Sequence, residues 1–289
     1  MDWVKSFQQA IDYIEEHITE PLDYECIARE MHISSFYFQK IFSILCGFTV
    51  GEYIRNRRLA LAGRELVSTD EKIIDIALKY GYDSPEGFTR AFTKFHGAPP
   101  NVVRKNGVPV KCFSKLSLSI SVKGGSSMDC KIVKKDSFKV LERVETHTIV
   151  DSENKNTIPD FWTRAHSDGT VKTLLENTSD KAYIFGICYG NASTDSKTFD
   201  YSIAAVCKDN CTAPKGFRVN EIPARTWAVF EVIGEMPRAI QDMFHSIYTE
   251  FFPSSEYQPT YEMDIEAYTA GAMDSPDYRS EIWVAVEKR

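Results

Sequence analysis

The feature that most constrains this chain is a repeat at an interval of fifty residues. Ser34, Phe38, Phe42 and Gly47 recur as Ser84, Phe88, Phe92 and Gly97, while Ile27-Ala28 returns as Ile76-Ala77 at an interval of forty-nine. The second copy therefore holds one extra residue, and Gly81-Tyr82-Asp83 is where a turn absorbs it. In each copy a short helix carrying Ile-Ala (Glu25–Met31, then Ile73–Tyr80) is expected to end in a tight turn. That turn falls at His32 in one copy and Gly81 in the other, both tolerant of unusual backbone angles. A second helix then starts at serine, whose hydroxyl accepts a free N–H of the first turn, and Pro85 takes the favoured first helical position. Phenylalanines four apart share its buried face. Two helices joined by a tight turn, with alanine at their close contact, form a helix-turn-helix, here twice.

Between the copies, Gly51–Leu66 reads as one helix of sixteen residues, about 24 Å long. Such a strut is expected to hold two reading helices near the ~34 Å repeat of the major groove. The net charge of −7 argues against broad non-specific affinity for nucleic acid. Residues 34–64, however, carry Lys40, Arg55, Arg57, Arg58 and Arg64 against Glu52 alone, and phosphate responds to local potential. Arg58 is read as structural.

The 289 residues suit two domains better than one. Hydrophobic and charged shares of 43% and 26% are ordinary globular values. No apolar run approaches the ~18 residues of a membrane span, and the acidic, amphipathic start is unlike a secretory signal, so the expected location is the cytoplasm, away from membranes. Seven scattered cysteines without a CxxC pair fit free thiols. Cys207 and Cys211 lack the partners of a metal site, and neither metal nor cofactor is expected.

The stretch Ile27 to Arg104, with Tyr53-Ile54…Arg58 and Gly81-Tyr82…Ser84…Phe88-Thr89-Arg90-Ala91-Phe92…Gly97…Pro100 added to the repeated anchors, resembles the AraC/XylS DNA-binding domain. The resemblance implies that the second helix of each copy enters a major groove of double-stranded promoter DNA. It places Phe36, Tyr37, Gln39 and Lys40 on DNA from the first copy, and Glu86, Gly87, Thr89 and Arg90 from the second. Chemically, Gln39 suits an adenine edge, Lys40 and Arg90 guanine or phosphate, and Glu86 cytosine N4. The resemblance also implies an activator that meets RNA polymerase.

Past Asn106 the pattern dissolves into Gly107, Pro109 and a Ser/Lys/Gly-rich stretch ending Lys123-Gly124-Gly125-Ser126-Ser127. The expected division is a double helix-turn-helix over 1–107, a linker over 108–128 and a second domain over 129–289. In that second domain strand-like runs (139–150, 182–189, 199–207, 225–233, 261–270, 280–287) are interrupted by helical patterns at Pro159–Leu175 and Pro237–Phe252. The order strand–helix–strand–strand occurs twice. The fold class expected is thus multidomain, all-α followed by α+β, with duplicated βαββ units whose antiparallel sheets flank a ligand cleft.

Phe161-Trp162, Trp227-Ala228-Val229-Phe230 leading to Gly234, and Ile265-Glu266-Ala267-Tyr268 before a last strand resemble the GyrI-like small-molecule-binding domain. The resemblance implies a carboxylate at Glu266 among aromatic rings, engaging a lipophilic effector, cationic or neutral. Alternation puts Glu266 and Tyr268 on one strand face and Ile265 and Ala267 on the other. Candidate walls are Trp162, Tyr183, Tyr189, Tyr201, Trp227 and Tyr268. A carboxylate ringed by aromatics offers charge neutralisation and cation–π attraction together. A ligand-responsive, non-enzymatic transcription regulator is the favoured reading. The alternatives are a GyrI-like small-molecule hydrolase fused to a DNA-binding domain, for which no nucleophile–base set is legible, and a protein-interaction module.

Overall fold

A computed structural model describes residues 3–118, 128–149, 153–179, 182–190, 198–208 and 210–289, the side chain of residue 155 excepted. Seven helices come first: α1 (Trp3–Glu16), α2 (Tyr24–Arg29), α3 (Ser35–Cys46), α4 (Val50–Ser68), α5 (Ile73–Lys79), α6 (Pro85–His96) and α7 (Pro100–Asn106). Then follow β1 (Cys130–Lys135), β2 (Phe138–Thr148), α8 (Asn154–Ser167), α9 (Thr170–Asn177), β3 (Ile184–Tyr189) and β4 (Thr198–Val206). The remainder is β5 (Arg218–Ile222), β6 (Arg225–Ile233), α10 (Arg238–Ser246), a π-helical turn (Ile247–Phe251), α11 (Phe252–Ser254), β7 (Tyr257–Tyr268) and β8 (Arg279–Lys288).

These elements form two compact units, one of Met1–Ile33 with Phe48–Ser121, the other of Ser34–Gly47 with Val122–Arg289. The division differs from the sequence-based one in a way that matters below: α3, second helix of the first repeat copy, belongs by packing to the sheet unit.

The repeat is realised residue by residue. Ser34 caps α3 by accepting from the Tyr37 N–H at 3.3 Å, and Ser84 caps α6 by accepting from Gly87 N–H at 3.1 Å. Both helices end on left-handed glycines, Gly47 at φ 76° and Gly97 at φ 91°. The turns preceding them hold His32 at φ 56° and Gly81 at φ 80°. Phe38, Phe42, Phe88 and Phe92 are fully buried.

In the helical unit, α4 is a single helix opened by a capping box between Thr49 and Glu52. Leu59, Ala62, Leu66, Ile76, Ala77, Phe88, Phe92 and Val103 pack into one core. His96 closes it: Nε2 lies 2.9 Å from the Leu59 carbonyl, and Nδ1 accepts from Lys111 N–H at 3.0 Å. A Cβ on Gly63 would stand 2.6 Å from that imidazole, so glycine is what lets the ring meet α4. Residues 108–118, expected as linker, are instead strapped to this unit. Leu116 N–H donates to the Tyr53 hydroxyl and Leu118 N–H to the Gln8 side chain. The stretch Lys123–Ser127 lies outside the described residues.

The sheet unit is built on eight antiparallel strands in the order β1-β6-β8-β7-β3-β4-β2-β5. The two βαββ units are present, fused where β3 pairs with β7. Each gains a strand that sequence patterning missed, and the added strands are exchanged: β1 lies beside β6 of the second unit, β5 beside β2 of the first. Both are edges, and Lys131, Lys134 and Lys135 disguise β1 as loop while discouraging further pairing. The first helical pattern is broken into α8 and α9 by Gly169 at φ 86°, next to Asp168 accepting from Thr170 N–H at 3.0 Å.

Candidate functional site

Register fixes what shares the helix-covered face of the sheet. Gly186 pairs with Glu266 and Cys188 with Asp264, while Cys188 also pairs with Tyr201. Alternation therefore brings Asp264, Glu266 and Tyr268 to one face with Gly186, Cys188, Phe199 and Tyr201. Glu266 Oε2 accepts from the hydroxyls of Tyr268 at 2.9 Å and Tyr201 at 3.1 Å. Trp162 of α8 donates from Nε1 to the Tyr201 hydroxyl at 3.0 Å, and its ring stands edge-on to Tyr268 with centroids 5.1 Å apart. A Cβ at Gly186 would overlap the Tyr201 hydroxyl at 2.0 Å, so the cluster needs a glycine floor. Burial raises the Glu266 pKa, opposed by the positive charge of Lys40 and then by the two tyrosine hydrogen bonds.

Four of the seven expected ligand-site residues, Glu266, Trp162, Tyr201 and Tyr268, are thus brought together. Tyr183, Tyr189 and Trp227 are not. Tyr189 and Trp227 belong to the core on the opposite face, with Phe185, Ile187, Ile265, Ala267 and Trp283, and Tyr183 packs against it. The correction has a simple cause: the period of two sends Tyr183 and Tyr189 to the face away from Gly186 and Cys188. Tyr189 serves there as a hydrogen-bond donor to the fully buried Glu142, which Arg218 neutralises with Nε 2.7 Å from Oε1.

Sequence reasoning missed Asp264, 2% exposed and two positions before Glu266 on the same face. Its partner is Lys40 of α3, Nζ to Oδ2 2.7 Å. Burial alone would lower the Lys40 pKa, but the Asp264 carboxylate more than compensates and holds it above the usual lysine value. At the Cys188 thiol burial dominates and the Lys40 charge opposes it, and the thiol is pushed up to about 12. The Lys40 ammonium also lies 4.8 Å from the Phe244 ring centroid. Phe36 stacks on Phe199 at 4.4 Å, and Tyr37 meets Tyr261 edge-on at 5.8 Å.

The eight expected DNA-facing residues accordingly fall into two groups. On α6, Glu86 and Arg90 are exposed and Gly87 and Thr89 partly so. On α3, Phe36 and Tyr37 are buried, Lys40 is engaged with Asp264, and Gln39 is half-buried. Phe36, Tyr37 and Lys40 pack within the sheet unit, meeting Phe199, Tyr261 and Asp264 along a groove of aromatic and anionic side chains. The expected basic patch is also smaller than its sequence. Arg57 pairs with Glu15, Nε to Oε1 2.8 Å, and Arg58 donates to the carbonyls of Ile18 and Glu20 at 2.7 Å, the structural role read for it. Arg55 and Arg64 remain exposed. Among the described residues no cluster of metal-ligating side chains occurs and no helix is long and apolar enough to cross a membrane.

A duplicated helix-turn-helix joined to a duplicated sheet domain with a carboxylate among aromatic rings defines a transcription regulator carrying an effector-binding domain. Comparison with known families gives the particular one. The chain belongs to the Cass2 family of integron-associated effector binding proteins, matched over residues 131–286, and residues 27–106 match an AraC-type helix-turn-helix domain (HTH_18). Over 104 residues, 36% of this chain, it is 43% identical to the uncharacterized HTH-type transcriptional regulator YbfP of Bacillus subtilis, of whose length it spans 35%. It is 40% identical over 97 residues, 34% of this chain, to the regulatory protein SoxS of Salmonella typhimurium, covering 91% of that protein. A solved structure of SAV2435 bound to tetraphenylphosphonium is 23% identical over 55% of this chain and 94% of that one, with a TM-score of 0.49.

Proposed function

We propose that this regulator is a cytoplasmic activator switched by a lipophilic organic cation held at Glu266, with α3 and α6 as its two DNA-reading helices. One observation carries the effector class: a partly buried carboxylate that accepts hydrogen bonds from two tyrosine hydroxyls, with an indole alongside. A desolvated carboxylate is poorly satisfied by neutral hydroxyls alone, and a cation with apolar bulk supplies both the missing charge and ring contact. Glu86, Gly87, Thr89 and Arg90 offer base-edge and phosphate contacts from α6, and Gln39 and Lys40 from α3. RNA polymerase is the partner through which activation proceeds, and no step of catalysis is invoked.

The test is titration of the full chain with tetraphenylphosphonium, followed by tryptophan fluorescence, beside neutral triphenylphosphine oxide. Saturable quenching by the cation, weakened about tenfold or more in Glu266→Gln, is expected. Equal affinity for cation and oxide, or an unaffected Glu266→Gln variant, would refute the cation assignment. Loss of probe mass to a product would favour the hydrolase instead.

A further inference from the structure

Helix α3 belongs by sequence to the first helix-turn-helix copy and by packing to the effector-binding unit. Its ends and its buried phenylalanines match those of α6, so the difference lies in the residues between them. Phe36, Tyr37 and Lys40 put two aromatic rings and an ammonium into the groove that carries Asp264 and Glu266. That is the chemistry of a lipophilic cation, supplied by the protein itself.

We propose that α3 is the resident occupant of the effector groove, that Lys40 stands on Asp264 as an internal substitute for the effector's positive charge, and that an organic cation and the docked helix exclude one another. The inference rests on the cation-binding reading of Glu266 and adds to it Asp264 as a second anionic anchor and α3 as the element that moves.

Two observations support a built seat. Gly190 lies under Tyr37, and a Cβ there would stand 1.9 Å from Tyr37 Cε2 and 2.8 Å from the Tyr261 carbonyl oxygen, so only glycine leaves the notch the ring occupies. The Lys40 side chain is 17% exposed and Asp264 3%, so the pair is largely withdrawn from water.

The regulatory consequence follows from linkage. A helix whose Lys40 and Tyr37 are in the groove cannot present them to a major groove. The docked form therefore lowers apparent affinity for DNA and for cation alike, each by the fraction of molecules in which α3 is free. Cation and DNA both bind the undocked form and so strengthen one another, which makes the effector an inducer of DNA binding.

The experiment is pulse acetylation of the full chain with acetic anhydride, read by mass spectrometry at Lys40 and, as internal standard, at the exposed Lys94. Lys40 is expected to react about tenfold or more slowly than Lys94. Tetraphenylphosphonium should raise its rate with the midpoint of the fluorescence titration. Gly190→Ala, which fills the notch, and Asp264→Asn, which removes the partner charge, should each expose Lys40 without any cation. Gly190→Ala should also bind the cation several-fold more tightly, and both variants should bind a mixed-sequence duplex spanning two major-groove turns more tightly than the parent. Lys40 as reactive as Lys94 from the start, Lys40 still protected at saturating cation, or freed variants no tighter on the duplex would each overturn the proposal. If the cation quenches nothing in any variant, the effector class fails, while the two variants still decide whether α3 is docked and whether release favours DNA.

Discussion

Helices α3 and α6 start on the same capping serine, bury the same pair of phenylalanines and stop on the same left-handed glycine. Their remaining faces meet different surroundings. That of α6 carries Glu86, Thr89 and Arg90 toward solvent, whereas that of α3 carries Phe36, Tyr37 and Lys40 into an aromatic, anionic groove. Fifty residues apart, Cys46 also answers to His96 at the last helical position. Burial pushes the thiol up to about 12, whereas the imidazole is wired to two backbone groups. A repeat thus conserves the parts that make a helix and place its core side, and leaves the other side free to acquire a second role.

The comparison can be broken or sharpened by experiment. Its common part predicts the largest effect: Phe38→Ala and Phe88→Ala should each cost about 3–5 kcal/mol in denaturant unfolding, since both rings are fully buried. A cost below ~1 kcal/mol at one site only would show that the anchors are not equivalent. The difference between the helices predicts the next effect. Lys40→Ala leaves Asp264 buried and uncompensated and should destabilise by about 2–4 kcal/mol, whereas Arg90→Ala on the open helix should stay within ~0.5 kcal/mol. Similar values for the two would remove the distinction drawn here.

Ser34→Ala and Ser84→Ala should each lose about 1 kcal/mol of stability, measured the same way, because the cap geometry is shared. The smallest effect is the pH response of His96 in the helical unit. Burial, partly offset by the Leu59 carbonyl, holds the His96 pKa below that of a free imidazole. The folded state therefore binds this proton less well than the unfolded state, so stability present above the ordinary imidazole value is lost as pH falls through it. Thermal melts at pH 7.5 and 5.5 should show the helical unit weakening at the lower pH, and a His96→Gln variant should lose that dependence. An unchanged dependence in the variant would assign the response to other groups.

Much of the architecture was legible in the chain because it is local. The serine caps, the turn residues His32 and Gly81 and the four-residue spacing of phenylalanines specify helices without reference to anything distant. The pairing of Glu266 with Tyr268 was equally readable, since alternation along one strand decides it. Tyr201 and Trp162 were reachable as aromatic candidates, but nothing in composition separated them from Tyr183, Tyr189 and Trp227. Only the register across the sheet, from β4 through β3, β7 and β8 to β6, together with the packing of α8, sorts those rings onto two faces. Edge strands β1 and β5 were hidden because an exposed strand has no hydrophobic alternation to display.

By itself, then, the sequence determined the repeat, the caps, the two domain classes and the presence of a carboxylate near aromatic groups, all features encoded within a few residues or one period. The tertiary structure decided which surface each element meets: that Asp264 joins Glu266, that Gly190 makes room for Tyr37, and that Lys40 answers a carboxylate 224 positions away. The physical reason is that helix and strand formation are governed by short-range hydrogen bonding and periodic burial, whereas the partner of an exposed charge is fixed by which distant surface offers complementary charge and shape.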